Sequence, residues 1–316
     1  MTRVFLTGGG GFIGANLARA WSARGVDVHL ALRSTSDLWR LEGCTGVQHI
    51  VDLRDSERLA DLIALVEPDV IVNAAAHGAY SWQTDSDQII DVNLKVVSTL
   101  LQAARAARVA RFIQLGTSSE YGSQDGAATE DSLLRPNSLY ATTKAAATHL
   151  IQNASDRGDI AATSLRLFSV YGAWEEPGRL MPTIVLAGLR HRLPPLVAPT
   201  TARDFVHIDD VVRIVDLFAI GPDISPRPTV VNVGSGVQTT MSELVELVRT
   251  QFAIDDKPVW GSMSPRPWDT DRWQADISRA ALTGWHPTTT LTQGLTALGT
   301  WIEPFRAIYE PRPSRR

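Results

Sequence analysis

Up to about residue 170, short apolar runs rich in β-branched residues alternate with longer stretches whose apolar positions recur at helical spacing. The runs Val4 to Leu6, Val26 to Leu32, Val47 to Val51, Val70 to Ala74, Phe112 to Leu115 and Thr163 to Phe168 are short enough to be strands. Between them, Ile13 to Arg24, Ser56 to Val66, Asp87 to Ala107 and Ser138 to Asn153 read as helices, with small residues where a helix must lie close to a sheet. Asp87, Ser56 and Ser138 have the short polar side chains suited to capping three of them. Strand and helix in alternation predict an α/β fold: a doubly wound parallel sheet with crossover helices.

Beyond residue 172 the texture changes. Prolines from Pro177 to Pro287 punctuate shorter elements, which predicts loops and small helices. Such a segment suits a smaller C-terminal lobe that covers a ligand, because loops carry binding residues while the sheet supplies rigidity. The expected division is residues 1–172 for the sheet domain, with sheet contributions from about 203–236; then 173–310 for a mainly substrate-binding lobe, and 311–316 as a frayed tail.

Composition narrows the classes of function. The 316 residues carry 30 Lys and Arg against 34 Asp and Glu, a formal charge of -4, so nothing attracts nucleic acid or an anionic membrane broadly. With 44% hydrophobic and 20% charged residues the chain reads as a soluble globular protein, and no apolar run reaches the roughly 18 residues of a membrane span. Cys44 is the single cysteine, which excludes an internal disulfide and a Cys-rich zinc site; no metal is expected. Met1-Thr2-Arg3 leads straight into Val4-Phe5-Leu6 without a signal-peptide pattern, so the expected location is the cytoplasm.

The chemistry begins with Thr7-Gly8-Gly9-Gly10-Gly11-Phe12-Ile13-Gly14, between the first predicted strand and helix. There a backbone without side chains can approach a pyrophosphate while the helix N-terminus offers N–H groups; Gly11 and Gly14 are expected to matter most. A glycine pattern alone describes any tight βα turn, but this placement favours a Rossmann-like dinucleotide site. The second strand ends Ala31-Leu32-Arg33-Ser34-Thr35-Ser36, where an acid commonly reads the ribose diol of NAD. Arg33, backed by Ser34 and Ser36, instead suits the 2'-phosphate of NADP, so NADP(H) is expected over NAD(H). The alternative is a solvated Arg33 with Asp37 turned back to the ribose. Asp52, after the third strand, is either at the adenine edge or a helix cap.

Tyr140 and Lys144 are four residues apart and share one helix face. A phenol of ordinary pKa about 10 is a poor base near neutrality, and an adjacent ammonium would stabilise its phenolate. Such pairs also arise by chance on exposed faces, so context decides. The context is Gly116-Thr117-Ser118-Ser119-Glu120-Tyr121-Gly122, which follows the fifth strand and sets hydroxyls at the sheet's C-terminal edge, where one can donate to a substrate carbonyl; a serine-rich turn is the plain alternative.

Taken together, Thr7-Gly8-x-x-Gly11-x-x-Gly14, the hydroxyls at 117–119 and Tyr140-x-x-x-Lys144 resemble the extended short-chain dehydrogenase/reductase family of nucleotide-sugar epimerases, dehydratases and reductases. The resemblance continues through Asn73-Ala74-Ala75-Ala76, Asn93, Arg166 to Gly172, Arg203 to Asp210, Arg266-Pro267-Trp268-Asp269 and Gly284-Trp285-His286-Pro287. It implies Tyr140 as acid/base, Lys144 on the nicotinamide ribose and lowering the tyrosine pKa, and Thr117 as the catalytic hydroxyl, with Ser118 in its place if the loop is shifted by one residue. It further implies a cofactor against Gly8, Gly11, Phe12, Ile13, Gly14, Arg33, Ser34, Asp52, Leu53, Ala74, Ala75 and Ala76. A nucleotide sugar is then expected against His77, Ser118, Ser119, Ser169, Arg203 and Arg266, the two arginines holding its diphosphate. Ser169 replaces the Asn common in the family. Trp82 either lines the sugar pocket or packs.

Two departures divide the family's activities. A 4,6-dehydratase of this kind is expected to carry an Asp-Glu pair after the catalytic Thr, where this chain has Ser118 and Ser119; Glu120 would serve only with a one-residue slip. Epimerases of the family usually retain NAD, with an acid at the end of the second strand, where this chain has Leu32 and Arg33. The pattern is similar to reductases that consume NADPH to convert a nucleotide-linked 4-keto-6-deoxyhexose to its hydroxy sugar. A 4-epimerase is the alternative, and a non-catalytic NADP-binding regulator the remotest. Homodimers are common in such families, through a bundle containing the Tyr140 helix; Ala145, Ala146 and Ala147 permit close packing there.

Overall fold

A computed structural model describes residues 2–264 and 270–309. Its strands are β1 (Arg3–Thr7), β2 (Asp27–Leu32), β3 (Val47–Ile50), β4 (Val70–Asn73), β5 (Arg111–Thr117), β6 (Ala161–Leu167), β7 (Ser169–Tyr171), β8 (Ala202–His207), β9 (Val230–Val233) and β10 (Gln238–Thr240). The helices are α1 (Phe12–Ala23), α2 (Ser56–Val66), α3 (Ser86–Ile90), α4 (Val96–Ala106), α5 (Leu139–Asp156), α6 (Leu180–Gly188), α7 (Ile208–Ala219), α8 (Met241–Phe252), α9 (Ser278–Ala281), α10 (Leu291–Ile302) and α11 (Arg306–Tyr309). All six expected strands join one parallel sheet, ordered β3-β2-β1-β4-β5-β6-β9, and the seventh strand comes from the later half. A second sheet orders β10-β8-β7.

Apart from the largely exposed edge strand β3, the sheet is buried on both faces, as a parallel sheet between crossover helices must be. Val4, Leu6, Val70, Val72, Ile113 and Leu115 pack against Leu17 and Trp21 of α1 and Ile214 and Phe218 of α7. On the opposite face Phe5, Ile71 and Phe112 meet Leu59 and Ile63 of α2, Leu100 of α4 and Ile151 of α5. The period of two along each strand thus decides which cluster a side chain joins, each large one contributing roughly 1.5–3 kcal/mol. The chain winds outward from β1 to β3, then returns to β4 beside β1. That reversal opens a crevice at the C-terminal strand ends.

Three expectations need correction. The caps of α2 and α3 are Asp55 and Asp85, whose carboxylates accept from Arg58 N–H at 3.2 Å and Gln88 N–H at 3.1 Å; Ser56 and Asp87 lie inside the first turns. The Asp87 to Ala107 helix is broken by a π turn over Asp91–Lys95, so one extra residue bulges beside the crevice. The second half is not made only of small helices, since α7, α8 and α10 each run 12 residues, as long as α1. Most prolines fall between these helices, and Pro182 occupies the first turn of α6, where no intrahelical N–H bond is lost. A third apolar cluster forms there, with Ile184 of α6, Val245 of α8 and Leu298 of α10.

Candidate active site

The turn from β1 to α1 places backbone, not side chain, at the crevice. Gly8 has φ +67°, and a Cβ there would meet Ala74 C and Ala75 N at 2.6 Å. A Cβ on Gly14 would strike Gly8 O, whereas one on Gly11 would lie 3.2 Å from the same atom. The demand for glycine is therefore strongest at Gly8 and Gly14, rather than Gly11 and Gly14. Gly11 is the N-cap of α1 and supplies no side chain to it, so the N–H groups of Phe12, Ile13 and Gly14 face outward at the helix's positive end. This cradle fits the pyrophosphate of a dinucleotide. Beneath it, Thr7 donates to Asn73 at 2.5 Å and Asn73 to Gln114 at 2.8 Å, a buried polar ladder across β1, β4 and β5.

At the tip of β2, Arg33 and Ser34 are exposed. Among the described residues the Arg33 guanidinium makes no hydrogen bond or ion pair, while its backbone N–H donates to Ser36 Oγ at 3.0 Å. Asp37 accepts from Trp39 N–H at 3.2 Å, engaged in a local turn. Asp52 pairs with Arg54 at 2.6 Å, and that hydrogen bond is the main cause holding its carboxyl below the usual range. It is not the cap of α2, which is Asp55. Leu53 and Arg54 border a groove that reaches Asp91 and Lys95 on the π turn.

Ser138 caps α5, accepting from Ala141 N–H at 3.2 Å, and the helix carries Tyr140 and Lys144 to the crevice. Lys144 is buried; its Nζ donates to Leu115 O at 2.5 Å, and burial pushes its pKa down to about 8. Tyr140 is half-buried with its hydroxyl end surrounded by protein, and this desolvation pushes the phenol up to about 12. A hydrogen bond from Thr117 partly opposes the rise, and the Glu120 carboxylate adds to it. Lys144 is not among the principal causes, so in this structure the phenol is held protonated rather than lowered by its neighbour.

Thr117 ends β5 and caps the turn that follows. Its Oγ1 accepts from Ser119 N–H at 3.2 Å, which leaves the hydroxyl proton free to point at Tyr140. Glu120 closes the capping box by accepting from Thr117 N–H at 2.9 Å, while its other oxygen accepts from Arg166 Nε at 2.8 Å. Both carboxylate oxygens are thus committed to structure. Arg166 also donates to Tyr121 Oη at 2.9 Å, and Tyr121 to Asn232 at 2.6 Å.

The remaining expected residues fall in three groups. His77 follows β4, and Asn93 on the π turn holds its backbone from both sides, at 2.9 Å and 2.8 Å, while donating to Thr143 of α5 at 3.1 Å. Ser118 accepts from Trp273 Nε1 at 3.1 Å, and the Arg203 guanidinium lies 5.3 Å from the Trp273 ring, which links the Thr117 turn to β8. Ser169 is half-buried at the start of β7, paired with Phe205. Ala74 and Ala75 face Gly8, Ala76 follows them exposed, and Arg266 lies outside the described residues. Trp82 is 64% exposed, so core packing does not account for it. The sequence reading did not find Arg179 and Tyr80, a cation and a phenol that act on the Tyr140 hydroxyl from two loops far apart in sequence. Their signal was faint: an aromatic and a cation in loops bearing Gly and Pro.

Fold and site together define an α/β enzyme with a dinucleotide cradle facing a Tyr/Lys/Thr constellation. The model for the NAD dependent epimerase/dehydratase family matches residues 4–234. The chain belongs to that family, within the extended short-chain dehydrogenases/reductases. It is 31% identical over 320 residues to a dTDP-6-deoxy-L-talose 4-dehydrogenase (NAD(P)(+)) of Kitasatospora kifunensis, covering 94% of this chain and 95% of that one. It superposes on MoeE5 in complex with UDP-glucuronic acid and NAD with TM-score 0.82 and 29% identity, covering 96% and 99% of the two chains. The UDP-glucose 4-epimerase of Thermotoga maritima matches in fold, with TM-score 0.86 at 22% identity and coverage of 98% and 100%. Other relatives include a dTDP-glucose 4,6-dehydratase and a probable UDP-glucuronate 4-epimerase. No helix among the described residues is long and apolar enough to cross a membrane.

Proposed function

We propose that the protein is an NADPH-dependent reductase that converts a nucleotide-linked 4-keto-6-deoxyhexose to the hydroxy sugar. The observation that carries the reading is Arg33, exposed and unengaged at the tip of β2, with Asp37 turned into a local turn. A guanidinium there suits a 2'-phosphate, and the position lacks the acid that would grip a retained NAD. The phosphates would rest on the Gly8 to Gly14 turn, and the adenosine end beside Asp52 and Leu53. When bound, the nicotinamide supplies the hydride for carbonyl reduction.

The chain's own groups supply the rest. Thr117 and Tyr140 donate to the carbonyl oxygen, and Tyr140 protonates it as negative charge develops. A phenol held up to about 12 is protonated near neutrality, the form that can donate to a carbonyl oxygen. Lys144 holds the ribose end of the cofactor. Arg203 and Arg266 take the diphosphate, with residues 173–310 covering the sugar nucleotide. Glu120, committed to Thr117 and Arg166, is not available to assist loss of water, which argues against a 4,6-dehydratase. The relative's name, a 4-dehydrogenase of a dTDP-6-deoxy sugar, describes the same hydride transfer written in the opposite direction.

A 4-epimerase is the second reading, supported by the 4-epimerases among the relatives. The two readings separate by absorbance at the nicotinamide band, with NADPH, a panel of nucleotide 4-keto-6-deoxysugars and analysis of the product sugars. Substrate-dependent loss of NADPH is expected. An isomerised sugar without net oxidation, or a dinucleotide that stays bound through purification, would overturn the reductase.

A further inference from the structure

Residues 173–176, which follow β7, are tied to both halves of the molecule. On the cofactor side, Asn16 of α1 donates to Ala173 O at 2.9 Å. Buried Arg40 donates from Nε to Trp174 O at 2.8 Å and from Nη2 to the Glu176 carboxylate at 2.9 Å. The Arg19 guanidinium, also from α1, lies 4.0 Å from the Trp174 ring. On the lobe side, the Trp174 ring meets Trp301 and Phe305 at centroid distances of 5.0 Å and 5.3 Å, and Tyr309 donates to Glu175 O at 2.6 Å. Trp174 holds φ +68°, a left-handed backbone that a bulky residue keeps only when its surroundings impose it.

Arg40 ends the loop that begins at Arg33. Between them, Ser36 Oγ accepts from Arg33 N–H and Asp37 accepts from Trp39 N–H, so local turns take up the slack. The Trp39 ring lies 4.4 Å from the Arg40 guanidinium and 5.3 Å from the Trp174 ring. The same loop borders the phosphate cradle, since a Cβ on Gly10 would lie 3.5 Å from Asp37 O. Beyond Glu176 the chain runs on to Arg179, the N-cap of α6 in the lobe. The loop that bears Arg33 is therefore joined to the lobe by directed hydrogen bonds as well as by packing.

We propose that Arg40 is a positioning residue that couples the two ligand sites: a cofactor bound at Arg33 fixes the 33–40 loop, and through Arg40 the loop fixes the lobe on its sugar nucleotide. The proposal rests on the reading of the protein as an NADPH-dependent nucleotide-sugar enzyme. Arg40 is buried with donors engaged by Trp174 O and Glu176, so it acts through these neighbours rather than on a ligand. Ordering that one ligand has already imposed need not be repeated by the other, which is how a shared rigid segment produces positive coupling. The coupling is reciprocal, each ligand tightening the other by the same factor. A residue that only stabilises the fold shifts an affinity alike with and without the second ligand, so the coupling factor isolates the role of Arg40.

The test is calorimetric titration of thymidine, uridine and guanosine diphosphate into the wild type, Arg40→Ala and Glu176→Gln, each with and without saturating NADPH, with thermal melting to show that each protein is folded. The coupling factor is the ratio of the two dissociation constants for the diphosphate that binds. The wild type is expected to show a factor of about ten, and Arg40→Ala about two or less. Glu176→Gln, which keeps the bond to Trp174 O, is expected to fall between them. A factor near one in the wild type, or one unchanged in Arg40→Ala, overturns the coupling and leaves the nucleotide-sugar reading standing. If Arg40→Ala does not fold, Glu176→Gln decides, and an unchanged factor there overturns the proposal. A wild type that binds none of the diphosphates, or no NADPH, contradicts the reading on which the proposal rests and takes the coupling with it.

Discussion

Replacing Glu120 tests whether this carboxylate is structural or catalytic. Glu120 is fully buried, with Arg166 almost so, and their ion pair at 2.8 Å is the charge balance beneath the Thr117 turn. Glu120→Ala strands the guanidinium in the interior and frees Thr117 N–H from its 2.9 Å bond. Breaking a buried pair by removing one partner costs about 3–5 kcal/mol. Glu120→Gln keeps an acceptor for Thr117 N–H and should cost less. Replacing both partners, as Glu120→Ala with Arg166→Met, should recover part of the loss, because no uncompensated charge remains. Equilibrium urea unfolding of the four proteins reads these differences. A loss below about 1 kcal/mol in Glu120→Ala, or a double variant less stable than the single one, would refute the argument. Glu120→Gln that unfolds like the wild type yet loses all turnover would return Glu120 to the chemistry.

Three further outcomes follow from the site. Lys144, held at about 8 by burial, loses its ammonium as pH rises through that value, so kcat/KM should fall with unit slope above it; a flat profile to pH about 9.5 contradicts this. The sign for stability is opposite: the folded chain binds this proton less tightly than the unfolded one, so this lysine's contribution rises between about 8 and its ordinary value of about 10.4. Gly14→Ala drives a Cβ into Gly8 O and should weaken NADPH affinity at least about tenfold or lower stability by about 1–3 kcal/mol, by fluorescence titration and thermal melting; no change in either refutes the cradle. Arg33→Ala should reduce the preference for NADPH over NADH by about tenfold or more in kcat/KM, and an unchanged ratio would remove the phosphate-reading role.

What could be read from sequence was what local spacing determines. Strands β1 to β6 follow from apolar runs too short for helices, and Tyr140 and Lys144 share a helix face because four residues make about one turn. The caps were misplaced by one or two residues because Asp55 and Asp85 compete with equally polar neighbours, and only the geometry of the first turn selects among them. The π turn left no mark, since Asp91 to Lys95 keep helical spacing to within one residue. Glu120 and Arg166 lie 46 residues apart, and Arg179 and Tyr80 approach Tyr140 from separate loops; such pairings depend on the tertiary path. The same holds for the Tyr140 pKa, where spacing suggested a lowering by Lys144 but burial acts in the other direction.

The most direct measurement is transfer of deuterium from NADPH carrying deuterium at both nicotinamide C4 positions into the sugar product, with Tyr140→Phe as the control. The account predicts one deuterium at the sugar's C4 for each NADPH consumed, and almost none with Tyr140→Phe. Product sugar formed without label from the added cofactor would contradict it and identify a protein that recycles a hydride it never releases.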